Sequence, residues 1–300
     1  MFQNRETVSG KCPYCGTLVP GNADGLAHGS SSGIRPGNDV SANHFTGHVC
    51  PYCDKAAAGS PITAVKSGPA GKIPVLLSWS GGKDAAYSLY QLQQEGAYEV
   101  HYLFTVFDKD RMASMHGIPE SLIEAQALSA GIPLLKLYIS DTGSESYETG
   151  MLRVLEQAKA AGIATVAFGD IFLADLRQYR ENQLQLAGMK GLFPLWQIDS
   201  RAYLRHFFQS GFEAVICCVN GSMLDTGYCG KQLSPALTAS FPAAADPCGE
   251  NGEYHSFCYA GPVFSQPVPY RTEGFFNRFF PSPDNRQAQV CFRHLRFSDT

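Results

Sequence analysis

The sequence predicts an α/β fold: a doubly wound parallel sheet, preceded by a small metal-bound module and followed by a smaller C-terminal part on the substrate side. Three observations predict it. Apolar runs of strand length alternate with helix-length segments from residue 73 onward, the first run enters its helix through Ser80-Gly81-Gly82, and residues 1–58 carry two Cys-Pro-Tyr-Cys pairs in place of apolar content. Three hundred residues at 44% hydrophobic content can bury a full core with a small module beside it. No apolar run reaches the roughly 18 residues that span a bilayer, and the opening MFQNRETVSG lacks the apolar core of a signal peptide, so a cytoplasmic protein is expected. The formal net charge of −4 gives no electrostatic reason for a long nucleic-acid footprint and favours small-molecule chemistry.

Residues 1–58 are rich in Gly, Ser, Asn and His, with little apolar periodicity. Such a segment cannot build a core alone, and the thiolates of Cys12, Cys15, Cys50 and Cys53 are expected to staple it around one metal ion. The other readings of these pairs are a redox-active dithiol or unrelated surface motifs. With GIRPGNDV at 33–40 between the pairs, the segment resembles a rubredoxin, whose four cysteines hold a single iron; Thr17, Val19, His48 and Asp54 depart from that pattern. Zinc and iron suit a four-thiolate set equally. His28, His44 and His48 read as solvated loop residues, and the small, Gly- and Pro-containing residues 59–72 read as a linker.

A sheet-bearing domain is expected over 73–190 and a C-terminal part over 191–300. The runs at 75–79, 100–107, 134–139, 164–169 and 214–219, rich in branched and aromatic residues, predict buried parallel strands. Helical segments lie between them at 84–95, 119–130, 145–161, 173–187 and 199–209, and Gly96, Gly131 and Gly162 close the first three. In such a sheet the ligand sits at the carboxyl ends of the strands. The turn at 80–84 lies at one such end, and Gly169-Asp170 at another. Where a strand turns into a helix, unpaired backbone N–H groups point out at the positive end of the helix dipole, and glycines let an anion approach them. The first candidate ligand is therefore a phosphate, although a glycine turn also serves close packing of helix on sheet. Neither the Walker spacing nor a dinucleotide Gly-x-Gly-x-x-Gly follows the first strand.

Ser80-Gly81-Gly82-Lys83-Asp84 is similar to the Ser-Gly-Gly-x-Asp loop of the PP-loop ATP pyrophosphatases, which split ATP into AMP and pyrophosphate; Ala85 stands where most members have Ser or Thr. Further pieces occur in the order found in the branch that includes diphthine ammonia ligase: Met115-His116-Gly117, Phe168-Gly169-Asp170-Ile171, Phe193-Pro194-Leu195-Trp196, and the run from Asp246-Pro247-Cys248-Gly249-Glu250 to Phe257. The resemblance covers about residues 74–270. It implies an adenine nucleotide alpha hydrolase-like fold, ATP and Mg²⁺ as cofactors, and activation of a carboxylate, in that ligase on a modified histidine of translation elongation factor 2, as an acyl adenylate that ammonia then displaces.

On this resemblance the amides of Ser80, Gly81 and Gly82 and the ammonium of Lys83 would hold the phosphates. Asp84 either binds Mg²⁺ or complements the helix dipole. Gly169 and Asp170 would hold nucleotide or Mg²⁺, with loop capping as the other reading of Asp170. Glu250 or Glu253 would receive ammonium or act as general base, unless GENGE is only a hairpin turn. His116, Asn251, Gly252 and His255 fall on the substrate side. The ligases of eukaryotes and archaea have Gly for Asn251 and Glu-Thr for His255-Ser256; the His form resembles bacterial relatives. Arg177 and Arg180 either reach phosphate or solvate their helix, and Cys217-Cys218 read as core. Two other functions compete: a tRNA-modifying thiolation enzyme that grips RNA with its metal module, and a nucleotide-binding sensor of metal or redox state. The first is opposed by the acidic balance and the lack of a Lys/Arg cluster in 1–58.

Overall fold

The computed structural model describes residues 8–11, 18–20, 48–49, 56–57, 71–139, 147–281 and 287–298. The chain divides into two compact units, Met1–Ser60 and Pro61–Thr300. In the first, β1 (Val8–Lys11) pairs antiparallel with β2 (Leu18–Pro20), and β3 (His48–Val49) with β4 (Ala56–Ala57). Cys12, Cys15, Cys50 and Cys53 lie outside the described residues. Among the described residues no helix is long and apolar enough to cross a membrane.

The second unit is built on a parallel sheet. β5 (Ile73–Ser78) carries Val75, Leu76 and Leu77 fully buried, a continuous apolar run covered on both faces. It pairs with β6 (Tyr98–Phe107) on one side and β10 (Thr165–Ala167) on the other; β6 pairs with β9 (Leu134–Tyr138), and β10 with β11 (Lys190–Leu192). The parallel order is β11-β10-β5-β6-β9, so the chain winds outward in both directions from the gap between β5 and β10. That gap is the topological switch point, where strand ends diverge and leave a crevice.

The connecting helices are α1 (Lys83–Glu95), α2 (Glu120–Ala130), α3 (Tyr147–Ala160) and α4 (Ala174–Leu186). α1 buries Ala85, Ala86, Leu89 and Leu92 and stops at Gly96, whose φ of 72° places it in the left-handed region. Beyond the end of β5, β6 is continued by a small antiparallel hairpin, β7 (Met112–Ala113) and β8 (Ile118–Pro119). Its base is anchored by Glu120, which accepts hydrogen bonds from Arg111 Nε, Lys136 Nζ and Tyr138 OH at 2.6 Å each. Those three donors hold the Glu120 carboxyl down at about 2 against the opposing effect of burial.

After α5 (Ser200–Gln209), capped by Asp199 accepting from Ala202 N, the chain forms a second sheet. Its order is β13-β12-β15-β14, all antiparallel, from β12 (Glu213–Asn220), β13 (Tyr254–Ala260), β14 (Tyr270–Pro281) and β15 (Gln287–Phe297). A 3-10 turn (Thr226–Tyr228) and the short α6 (Pro235–Ala239) lie between β12 and β13. Residues 214–219, expected as a parallel strand, therefore belong to the antiparallel sheet. A strand buried on both faces shows the same apolar run in either setting, and Ala214 to Val219 are all buried. The fifth parallel strand is β11 instead, whose Lys-Gly-Leu has no strand signature.

The two sheets meet at the turn after β5. Cys258 N on β13 donates to Gly81 O at 2.9 Å. Opposite this segment the β12–β13 ladder is irregular: Ile216 faces Ser256 and Cys218 faces His255, leaving Cys217 as an extra residue. Its thiol donates to His116 O at 3.4 Å, and Phe292 of β15 packs so closely on Gly117 that a Cβ there would sit 2.5 Å from the ring. The hairpin that carries His116 is thus clamped between the sheets.

Candidate active site

A cavity of about 530 Å³ opens at the switch point. Its walls come from the end of β5 and start of α1 (Ser80, Asp84, Ala85), the β7–β8 turn (His116), the end of β10 (Gly169, Asp170), and the 249–256 segment (Glu250, Tyr254, His255, Ser256). Tyr147 and Met151 of α3, with Phe168, Leu173 and Leu176, add an apolar side. Volume and mixed lining suit one ligand of nucleotide size.

The phosphate turn is held from behind. Gly81 has φ of 80°, and a Cβ there would lie 2.4 Å from Ile123, so position 81 accepts only glycine. Gly81 O accepts from Gln126 Nε2 at 2.9 Å as well as from Cys258 N; Gln126 Nε2 also reaches Cys258 O at 2.6 Å, and its Oε1 accepts from Trp79 Nε1 at 3.0 Å. Gln126 is fully buried with each of these bonds made. A helix leaves its first four N–H groups without intrahelical partners. In α1, Gly82 N donates to Ser80 Oγ and Lys83 N to Ser256 Oγ, each at 3.2 Å. The remaining two first-turn amides belong to Asp84 and Ala85, both on the cavity wall. Gly169 keeps them approachable: a Cβ on it would stand 3.0 Å from Asp84 C and 3.2 Å from Ala85 N.

Lys83, expected to grip phosphate, is turned the other way. It is 2% exposed and absent from the cavity wall. Its Nζ donates to both carboxylate oxygens of Asp84 at 2.9 Å and lies 5.3 Å from the Tyr254 ring centroid and 6.0 Å from that of Tyr203. Burial works to lower its pKa, but the Asp84 carboxylate and its other neighbours outweigh burial and raise it. Asp84 accepts a third bond from Tyr203 OH at 3.0 Å. The physical reason for the inward turn is that the carboxylate one residue on, backed by two aromatic faces, offers the ammonium full pairing inside the protein.

Asp170 is 8% exposed and forms an ion pair with Arg180, Oδ2 to Nε 2.8 Å, with Arg180 Nη2 donating to Oδ1 at 3.2 Å. Burial raises its pKa and Arg180 opposes the rise. Arg180 lines the cavity, whereas Arg177 stacks over Phe193 and Trp196, 4.7 and 4.5 Å from their centroids, and pairs with Glu181. Glu250 lines the cavity and accepts from Ile171 N at 2.7 Å. Burial pushes its carboxyl up to about 7, against the lowering effect of that N–H, so it exchanges a proton near neutrality.

The other glutamate does different work. Glu253 is 1% exposed and off the cavity wall; its Oε1 accepts from Asp246 N at 2.8 Å and Asn251 Nδ2 at 3.2 Å, tying its own loop. The expectation of a second carboxylate in the cleft is thereby corrected. Asn251 is exposed and Gly252, φ 89°, is a turn residue with open space around it; neither lines the cavity. His116 and His255 both do. Their rings stack at a centroid distance of 4.3 Å and an interplanar angle of 33°. Burial holds His116 down to about 4 and His255 well below the ordinary range, so both are neutral.

Sequence reasoning missed Gln126, Ser256 and Tyr203. Gln126 had a signal: a lone amide on the apolar stripe of α2 beside Leu122, Ile123 and Ala127. Cys217 and Cys218 are buried in the core, at 1% and 2% exposure, as expected. Among the described residues no group of three or more His, Cys, Asp or Glu forms a metal site of its own.

Residues 72–191 match the family described as Diphthamide synthase N-terminal domain. Two relatives are named diphthine–ammonia ligase. The chain is 26% identical over 216 residues to that of Rattus norvegicus and 27% over 214 residues to that of Mus musculus, in each case covering 63% of this chain and 79% of the relative. The family match spans the phosphate turn, His116 and Gly169-Asp170, and the names of the relatives point to a ligase.

Proposed function

We propose that the chain is an ATP-dependent ligase that joins a small or protein-borne carboxylate to ammonia through an acyl adenylate, releasing AMP and pyrophosphate. The observation that carries this reading is that a single cavity brings the free α1 amides together with Glu250, a carboxyl that titrates at about 7. The reaction type comes from the names of the relatives.

A carboxylate oxygen attacks the α-phosphorus and the bond to the β-phosphate breaks, so pyrophosphate leaves. Ammonia then attacks the acyl carbon, the bond to AMP breaks, and one proton passes to a base. Ionised Glu250 is that base, anchored by Ile171 N. The Asp84 and Ala85 amides bear on phosphate charge as it shifts, which is where fixed dipoles lower a barrier. Lys83 is a positioning residue for Asp84. Mg²⁺ takes one or two protein carboxylates beside substrate phosphates; Asp84 and Asp170 would hold it by giving up part of their pairing with Lys83 and Arg180, and it would neutralise phosphate charge. In the first unit, four thiolates from Cys12, Cys15, Cys50 and Cys53 would hold one zinc or iron ion, a reading that rests on their spacing and is checked by metal analysis of the purified chain.

The test is incubation with Mg²⁺, ATP, ¹⁵N-ammonium and a metabolite or protein extract. AMP and pyrophosphate in equal amounts, with ¹⁵N fixed in an amide, are expected. ADP and orthophosphate as the products would sink the reading.

A further inference from the structure

The phosphate turn of this chain lacks two groups that would ordinarily face an anion. Position 85 carries no hydroxyl, and the Lys83 ammonium is committed to Asp84 inside the protein. Two of the four first-turn amides are also taken, by Ser80 and Ser256. A triphosphate end resting on the turn therefore needs further polar partners, and the wall of the cavity offers two imidazoles, His116 and His255, of which only His116 Nδ1 is engaged among the described residues.

His116 Nδ1 faces its own loop, 3.3 Å from Ser114 O, which turns Nε2 outward. A Cβ built on Gly82 would lie 3.4 Å from that Nε2, so the ring edge overhangs the middle of the turn. His255 stacks on His116, lines the same cavity, and among the described residues no group hydrogen-bonds its ring. The charged groups around the pair are Lys83 and Asp84 of α1, with Glu250 and the Asp170–Arg180 pair elsewhere on the wall. The hairpin that carries His116 is fixed by the Glu120 cluster, the Cys217 thiol and Phe292, so the ring is held where it stands.

We propose that the stacked His116 and His255 rings form a clamp for the pyrophosphate end of the nucleotide, replacing the hydroxyl and the ammonium that the turn does not present. The inference rests on the nucleotide reading of the cavity and deepens it by assigning the leaving-group subsite. His255 donates a ring N–H to a phosphate oxygen as it stands, whereas His116, whose Nδ1–H is given to Ser114 O, donates from Nε2 once the bound anion draws a proton onto the ring.

The test is direct binding, by calorimetry on the full chain, of inorganic pyrophosphate and of AMP as separate probes. His116→Ala and His255→Ala are each expected to weaken pyrophosphate binding about tenfold or more, the worth of one hydrogen bond to a charged group, and to leave AMP affinity within about twofold. AMP binding also reports that each variant is folded, and His255→Phe, which keeps the stack without the nitrogens, should behave as His255→Ala. Unchanged pyrophosphate affinity, or equal losses for both probes, would overturn the clamp. So would a raised KM for the carboxylate with pyrophosphate binding intact, which assigns the pair to the acceptor. A chain that binds pyrophosphate through the pair yet never forms AMP keeps the clamp and loses the ligase reading, so the two fail separately.

Discussion

The Lys83 ammonium lies 2.9 Å from both carboxylate oxygens of the adjacent residue, Asp84, and the lysine side chain is 3% exposed where that of the aspartate is 28%. Removing one member of such a pair strands the other. Lys83→Met is expected to cost roughly 3 kcal/mol of stability, and Lys83→Met with Asp84→Asn less than the sum of the single changes. Urea unfolding of the four proteins of this cycle measures the coupling. Strict additivity would show that the ammonium does not depend on Asp84.

Glu250 sets a pH window. Its folded pKa of about 7 exceeds the ordinary 4.5, so the folded protein holds this proton more tightly than the unfolded chain. Its contribution to stability is full below pH 4.5 and is lost as the pH rises through about 7, and Glu250→Gln should flatten the wild-type curve there. Catalysis runs the other way, because the base must be ionised: the amide-forming rate should rise through pH 7 in the wild type and fall about a hundredfold in Glu250→Gln. An unshifted profile in both measurements would remove Glu250 from the role.

Gly169→Ala tests the approach to the α1 amides. The added Cβ would meet Asp84 C at 3.0 Å and Ala85 N at 3.2 Å, against backbone that yields little. ATP affinity should drop about tenfold, the loss of one hydrogen bond to a charged group, and the unfolding midpoint should fall with the strained backbone contact. A variant that binds ATP as well as the wild type would show that phosphate does not use these amides.

Gln126→Leu keeps the bulk of the side chain and removes the bonds to Gly81 O, Cys258 O and Trp79 Nε1. Each buried polar atom left without its partner costs about 1–3 kcal/mol, although Gly81 O retains Cys258 N. A loss of several kcal/mol together with weakened ATP binding is expected from denaturation and calorimetry. Loss of stability with intact ATP affinity would confine Gln126 to the core.

Much of this was legible in the sequence, and the failures have physical causes. The helices and the glycines that close them stood within a few residues of α1 to α5, because amphipathic spacing and left-handed caps are local properties. The identity of β12 and β11 was not local: which strands pair is decided by partners far along the chain, and a doubly buried run carries no mark of direction. In the site, Asp84, Gly169, Asp170, Glu250, His116 and His255 do share one cavity. Glu253 and Lys83 went astray for one reason. Both are charged groups whose partners, Asp246 N with Asn251 and Asp84 with the two tyrosine faces, become visible only once the loop is closed.

The extra residue in β12 has a consequence for how the cavity wall is encoded. Along a ladder, sidedness is a matter of parity, and one inserted residue inverts it for everything that follows. Cys217 is that residue, with Ile216 against Ser256 and Cys218 against His255. Between the Ala214–Cys258 and Val219–Tyr254 pairs β12 has one residue more than β13, so deleting position 217 would equalise the two strands there and oblige β12 or β13 to roll over, exchanging inward and outward side chains around His255. The chain thus keeps the facing of an imidazole in arithmetic, as one residue more on the neighbouring strand than on its own.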